Sequence, residues 1–237
     1  METPDMAITL YDLSGLNGRR FSPFGWRARM SLAHKGLEAD TTVELVRFSD
    51  KHKLAFSGQN LVPVLVDGEK TVSDSWEIAR YLDEAYPSAP SLLGGEASEG
   101  VARMAAAYVD SQLHPLVARC VVADIPNIIH EDDQAYFRES REKRFGMTLE
   151  EIVANRDETK EQLKTTLYPV RAALRERDNL GGSTPGYADY AVFGAFMWAR
   201  GVSGFKMLEQ DDPVFAWRER MLDQFNGMPR REPGFPV

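Results

Sequence analysis

The chain has 237 residues, enough to bury a real core in one large domain or two modest ones. Its 28 Lys+Arg against 36 Asp+Glu give a formal charge of −8, which repels nucleic-acid phosphates and anionic membranes and argues against either as a partner. The single Cys120 excludes an internal disulfide, no run of about 18 apolar residues offers a membrane span, and residues 1–6 lack the apolar core of a secretory signal, so a cytoplasmic location is expected.

Residues 8–13 alternate apolar and polar at period two and predict a strand. Residues 14–20 hold two glycines and an asparagine and read as a loop. Ser22-Pro23 then marks a helix start, a capping hydroxyl before proline at the first helical position. Trp26, Met30, Ala33 and Leu37 form one apolar face, with Arg27, Arg29 and Lys35 mostly off it, and Gly36 ends the helix. The β-branched residues 41–46 predict a second strand, and residues 47–60 are polar without a clear period. Residues 62–66 and 71–73 flank Asp67-Gly68 as a hairpin. Residues 74–86 read as a helix with Ile78, Leu82 and Ala85 on one face, stopped by Pro87 and Pro90.

The order β-α-β-loop-β-β-α makes residues 1–87 an α/β domain. Residues 88–98, rich in Pro, Gly, Ser and Ala, read as a linker, and residues 99–237 as an all-helical domain. Its main helices are expected at 101–116, 149–178 and 187–200, with Pro169 dividing the second. Residues 124–147 suggest a long loop or short helices, and the tail after Gly227 suggests a surface segment. Arg138, Arg141, Lys143 and Arg144 interleave with Glu139 and Glu142 and read as a salt-bridged surface.

Three local features converge. Leu10-Tyr11 on the first strand is followed by a loop and by Ser22-Pro23 opening a helix. Val62-Pro63-Val64-Leu65 precedes a tight hairpin. Asp74-Ser75-Trp76-Glu77-Ile78-Ala79-Arg80-Tyr81-Leu82 lies at a helix start. In this order and spacing they resemble the N-terminal domain of cytosolic glutathione transferases. The resemblance extends over the whole chain and implies a thioredoxin-like α/β domain followed by an all-α domain, glutathione as cosubstrate, and a homodimer. A narrower stretch, residues 8–36, with its long loop before Ser22-Pro23, Trp26-Arg27 and His34-Lys35-Gly36, is similar to the start of bacterial glutathione-dependent β-etherases and fungal etherase-like transferases. Residues 74–84 fit the same group. That likeness implies cleavage of β-aryl ethers in lignin-type aromatic substrates. The alternatives are a general transferase or peroxidase acting on hydrophobic electrophiles, and a non-catalytic carrier of glutathione or a hydrophobic ligand.

A thiol with a pKa of about 8.5 is mostly protonated at neutral pH. Lowering it by about two units takes roughly 2.7 kcal/mol of preference for the thiolate. A hydroxyl donor and the amides of a helix N-terminus both contribute, and Ser22 stands where both act. Ser22 either donates to the bound thiolate or only caps its helix; Tyr11 and Ser14 are the competing donors. In the family the Val62-Pro63 bond is cis, which would turn the Val62 backbone toward the cysteinyl part of glutathione. Asp74 and Ser75 would meet the γ-glutamyl end of glutathione at a helix N-terminus, or only cap that helix with Glu77 completing a box. His52, Lys51, Lys53 and Gln59 are open candidates for the glycyl carboxylate, and Phe21, Phe24, Met104, Tyr108 and Leu113 for the second-substrate pocket.

Disulfide chemistry would need a cysteine near position 22, whereas Cys120 reads as a buried apolar residue. The four histidines lack metal-ligand spacing, and no nucleophile-elbow, P-loop or dinucleotide motif is present. Asp189 follows Gly186, where the family usually has Ser or Thr, so Asp189 is expected to be structural without a full capping box.

Overall fold

The computed structural model describes residues 7–236. Strands β1 (Ile8–Leu13), β2 (Thr41–Val46), β3 (Val64–Asp67) and β4 (Lys70–Ser73) form one sheet in the order β2-β1-β3-β4. β2 runs parallel to β1, with Ile8 opposite Thr41, and β3 and β4 are antiparallel. Two helices, α1 (Pro23–His34) and α2 (Ser75–Ala85), complete the α/β domain in the expected order. Beyond it come α3 (Glu96–Tyr108), α4 (His114–Val121), α5 (Glu131–Phe145), α6 (Leu149–Val153), α7 (Arg156–Thr166), α8 (Tyr168–Leu174), α9 (Tyr187–Val202), α10 (Pro213–Leu222) and a last irregular helix, α11 (Gln224–Arg231). Among the described residues, no helix is long and apolar enough to cross a membrane.

α1 is the seam of the molecule. It was expected to bury one face, yet Arg27, Arg29 and Lys35 are buried along with Trp26 and Met30. The reason is that α1 lies between the sheet and α9, so both sides are covered. Its buried cations are paired: Arg27 with Asp110 at 2.6 Å, Arg29 with Glu232 at 2.7 Å, Lys35 with Asp83 at 2.7 Å. Removing one partner of such a pair strands a buried charge. Further contacts cross between the domains: Tyr187 donates to Ser75 at 3.2 Å, and His34 meets the Tyr190 hydroxyl at 2.7 Å.

The α1–α9 crossing depends on Gly194, where a Cβ would lie 2.5 Å from the Pro23 carbonyl oxygen. Alanine in a helix ordinarily gains about 1 kcal/mol over glycine. Here overpacking against backbone reverses the sign, at a cost of about 1–3 kcal/mol. Gly194→Ala is therefore expected to lower the urea midpoint, and a midpoint at or above that of the unmutated protein would refute this close crossing.

Elsewhere the helical domain departs from expectation. Residues 124–147, read as loop or short helices, contain the 15-residue α5. Only Asp133 and Phe137 of α5 are buried, so an apolar stripe was too thin to see. α10 was missed, although Asp212 accepts from Val214 N and Pro213 opens the helix, the same signature that marked α1. The stretch 149–178 is broken at Ala154-Asn155 as well as before Pro169. Ala85 is exposed, and Ala79 takes its place on the inner face of α2. The tail packs inward: Met228 is 3% exposed, Arg200 donates to the Glu232 carbonyl, and Phe235 N donates to the Arg200 carbonyl. Its loops hid the apolar contacts that hold it down.

Asp12, on β1 beneath α1, is fully buried. One oxygen accepts from Leu13 N at 2.8 Å, and the other has no partner. Burial pushes its carboxyl up to about 6, opposed by Arg29 and Arg20. The folded state therefore holds the proton more tightly than the unfolded chain. The stability this gives is complete below about pH 4 and lost as pH rises through about 6. A shift of about two units corresponds to roughly 3 kcal/mol. Relative to Asp12→Asn, the unmutated protein is expected to lose most of that amount between pH 4 and pH 7 in urea titrations, and a constant difference would refute it.

Candidate functional site

A cleft of about 740 Å³ opens between the two domains. That is the size of a small-molecule site. The α/β domain contributes Phe21, Ser22, Phe24, Phe48, Lys51 and Val62, and the helical domain contributes Asp110, His114, Phe137, Arg141 and Trp198.

Ser22 is the N-cap of α1, and its Oγ accepts from Gly25 N at 3.0 Å. That bond uses a lone pair and leaves the hydroxyl hydrogen without an acceptor among the described residues. None of the first-turn residues of α1 is acidic, while the buried Asp12 carboxyl lies against Gly25 beneath that turn, and the helix amides point their positive end to this corner of the cleft. A hydroxyl donor and a helix N-terminus thus meet at one point of the cleft wall. The competing hydroxyls lie elsewhere. Ser14 donates to the Gly15 carbonyl, and the Tyr11 ring packs 5.1 Å from Phe56; neither lines the cleft.

Val62 lines the cleft, and the Val62-Pro63 peptide is cis. Pro63 itself is buried. Asp74 caps α2 with a φ of +77°, unusual for a residue with a side chain, and accepts from the amides of Trp76 and Glu77. Glu77 does not complete a box; its carboxylate meets Arg80 at 3.3 Å. Ser75 is 1% exposed, its hydroxyl taken by Tyr187. Asp74 and Ser75 both stand outside the cleft lining.

Of the four glycyl-carboxylate candidates, Lys51 lines the cleft and contacts the Tyr136 hydroxyl at 2.5 Å. Lys53 pairs with Asp50 at 3.1 Å, His52 is exposed outside the lining, and the Gln59 amide closes its own loop onto Leu61.

The second-substrate candidates divide by domain. Phe21 and Phe24 line the cleft; Met104, Tyr108 and Leu113 do not. Met104 is 68% exposed, Tyr108 donates to the Thr166 carbonyl at 2.6 Å, and Leu113 turns into the core. One continuous helix over 101–116 was assumed, but a π-type turn at Val109–Leu113 interrupts it before Pro115. The extra residue in that turn rotates the facing positions, and Asp110, His114 and Ala118 look into the cleft instead. The His-Pro pair inside an otherwise helical pattern was the available signal.

His114 packs edge-on to Phe24 and Trp198, with ring centroids at 5.3 Å and 6.0 Å. Burial, together with the Arg27 charge, pushes its pKa down to about 3. It is therefore a neutral aromatic wall at physiological pH. Cys120 is fully buried with its thiol pushed up to about 11 by burial, which makes it unreactive. Asp189 accepts from Leu180 N and Gly181 N at 2.8 Å, and from Gly186 N and Trp217 Nε1 at 3.0 Å.

A four-stranded α/β domain whose first helix opens onto a cleft shared with an all-helical domain defines a two-domain class with a thioredoxin-like first half. The chain belongs to the glutathione S-transferase family: residues 101–225 match the model of the glutathione S-transferase C-terminal domain, and residues 21–85 that of the N-terminal domain. Its relatives include glutathione S-transferase U13 of Arabidopsis thaliana, 29% identical over 218 residues, covering 88% of this chain and 86% of that protein. Among solved structures, glutathione S-transferase CsGST63524 of Ceriporiopsis subvermispora, in complex with glutathione, superposes with a TM-score of 0.78 at 23% identity, covering 92% of this chain and 97% of the other. Glutathione transferase GSTFuA2 of Phanerochaete chrysosporium gives 0.75 at 26% identity, covering 93% and 92%.

Proposed function

We propose that this chain is a glutathione transferase in which Ser22 donates a hydrogen bond to the glutathione thiolate, and that the thiolate cleaves a β-aryl ether. Sulfur attacks the carbon bearing the ether oxygen. The C–S bond forms as the C–O bond breaks, phenolate leaves with the electron pair, and the proton lost by the thiol ends on the phenol. The observation that carries this reading is the Ser22 hydroxyl, its hydrogen free, at a helix N-terminus on the wall of the cleft.

The Val62 backbone, at the cleft edge, would pair with the cysteinyl unit of glutathione in the manner of an added strand. The start of α2, at Asp74 and Ser75, would face the γ-glutamyl end, and Lys51 the glycyl carboxylate. Phe21 and Phe24 supply aromatic surface for the second substrate. A homodimer would place a second subunit beside the α2 end of the site.

Incubating the protein with saturating glutathione and a model aryl-ether ketone is expected to release phenol and the glutathione thioether in equal amounts. Conjugation of chlorodinitrobenzene with the ether untouched would replace ether cleavage by general transfer to electrophiles. Bound glutathione with an unlowered thiol pKa would make the protein a carrier.

A further inference from the structure

The protein is acidic overall, yet the α5 wall of its cleft presents two guanidinium groups that no carboxylate pairs among the described residues, the helical domain's Asp110 being held by Arg27. The cluster on α5 was read as a salt-bridged surface. Arg138 fits that reading, bridging Glu142 and Glu150. Arg141 and Arg144 do not. Both line the cleft, and neither makes an ion pair among the described residues. The Arg141 guanidinium donates to Ser140 Oγ and lies over the rings of Phe137 at 4.7 Å and Phe48 at 5.5 Å. Burial lowers its pKa, with Arg144 acting in the same direction as a like charge. A half-buried cation beside another cation is costly by itself and becomes favourable once paired with an anion.

We propose that Arg141 and Arg144 form an anion subsite for the second substrate, which is an aromatic electrophile carrying a carboxylate- or sulfonate-type group. Its ring would lie among Phe24, Phe48 and Phe137, and its oxyanion on the Arg141 guanidinium. This deepens the transferase reading and rests on it. Glutathione is not the anion in question. The groups assigned to glutathione all belong to the α/β domain, whereas Arg141 and Arg144 belong to the helical domain. Arg47, the arginine that the α/β domain brings to the cleft, is already held by Asp133 at 3.2 Å and Asp132 at 3.5 Å.

The test is binding rather than turnover. Naphthalenesulfonate and its uncharged match, naphthalenesulfonamide, are titrated calorimetrically into the protein saturated with S-methylglutathione. The sulfonate is expected to bind about tenfold tighter, as a charge-assisted bond to arginine implies. That preference is expected to shrink at high salt. It is expected to vanish in Arg141→Met/Arg144→Gln, with sulfonamide and S-methylglutathione binding kept within about twofold, which also reports an intact cleft. Equal binding of the two probes by the unmutated protein, or a preference that persists in the double variant, overturns the proposal. So does a variant that loses S-methylglutathione instead of the sulfonate. If the double variant does not fold, the exposed Arg144→Gln and the salt series decide: a preference that neither diminishes overturns it. A sulfonate preference in a protein that turns over no electrophile supports the subsite and counts against the transferase reading alone.

Discussion

Asp189→Ala is expected to lower the free energy of unfolding by about 4 kcal/mol. The carboxylate is fully buried and receives four donors: three backbone amides from the turn before α9, and the Trp217 indole from α10. Alanine leaves all four without that partner; the buried Gly186 amide and Trp217 indole each lose about 1–3 kcal/mol, and the part-buried Leu180 and Gly181 amides less. Burial raises the carboxyl pKa, and the donors oppose it. Asp189→Asn keeps the shape but turns an NH2 group toward amides that now share one oxygen, Gly181 N and Gly186 N. It is expected to fall between alanine and aspartate. Urea midpoints order the three proteins, and an alanine variant within about 1 kcal/mol of the unmutated protein would show that water replaces the carboxylate.

Ser22→Ala is expected to separate two roles by two measurements. Losing the cap on Gly25 N costs about 1 kcal/mol of stability. Losing the proposed donor to the thiolate is expected to reduce kcat/KM with the model aryl-ether ketone about 100-fold and to raise the pKa of the bound thiol by about two units. Ser22→Thr keeps the hydroxyl and is expected to restore most of both. Unchanged turnover with an unchanged thiol pKa would take Ser22 out of the chemistry and leave it a cap.

The α/β domain was legible because its signals are local. Ser22-Pro23 fixes a helix start, Asp67-Gly68 fixes a hairpin, and alternation fixes β1. What failed depends on distant chain. Arg27 looks solvent-facing until Asp110, 83 residues on, is brought against it. Met104, Tyr108 and Leu113 are the apolar pocket candidates of the helix expected over 101–116, and with the π-type turn at Val109–Leu113 it is Asp110 and His114 that line the cleft. α5 conceals its role for the opposite reason. Its sequence is charged throughout, and only the pairing of Arg138 with both nearby glutamates reveals that Arg141 and Arg144 are left over. The cleft's Ser22 wall could be read from short motifs, and its α5 wall from the folded chain alone.

The inward-packed tail bears on how the molecule comes apart. Glu232 grips Arg29 of α1, and the Arg19 guanidinium lies 5.1 Å from the Phe235 ring. The chain thus crosses between domains twice, once through the peptide after α2 and once by this returning end. A scissile bond placed between α2 and α3 would therefore nick the protein without releasing either half. Heating the nicked and intact forms is expected to give one shared calorimetric transition, since neither domain can melt without baring the flank of α1 on which the other rests.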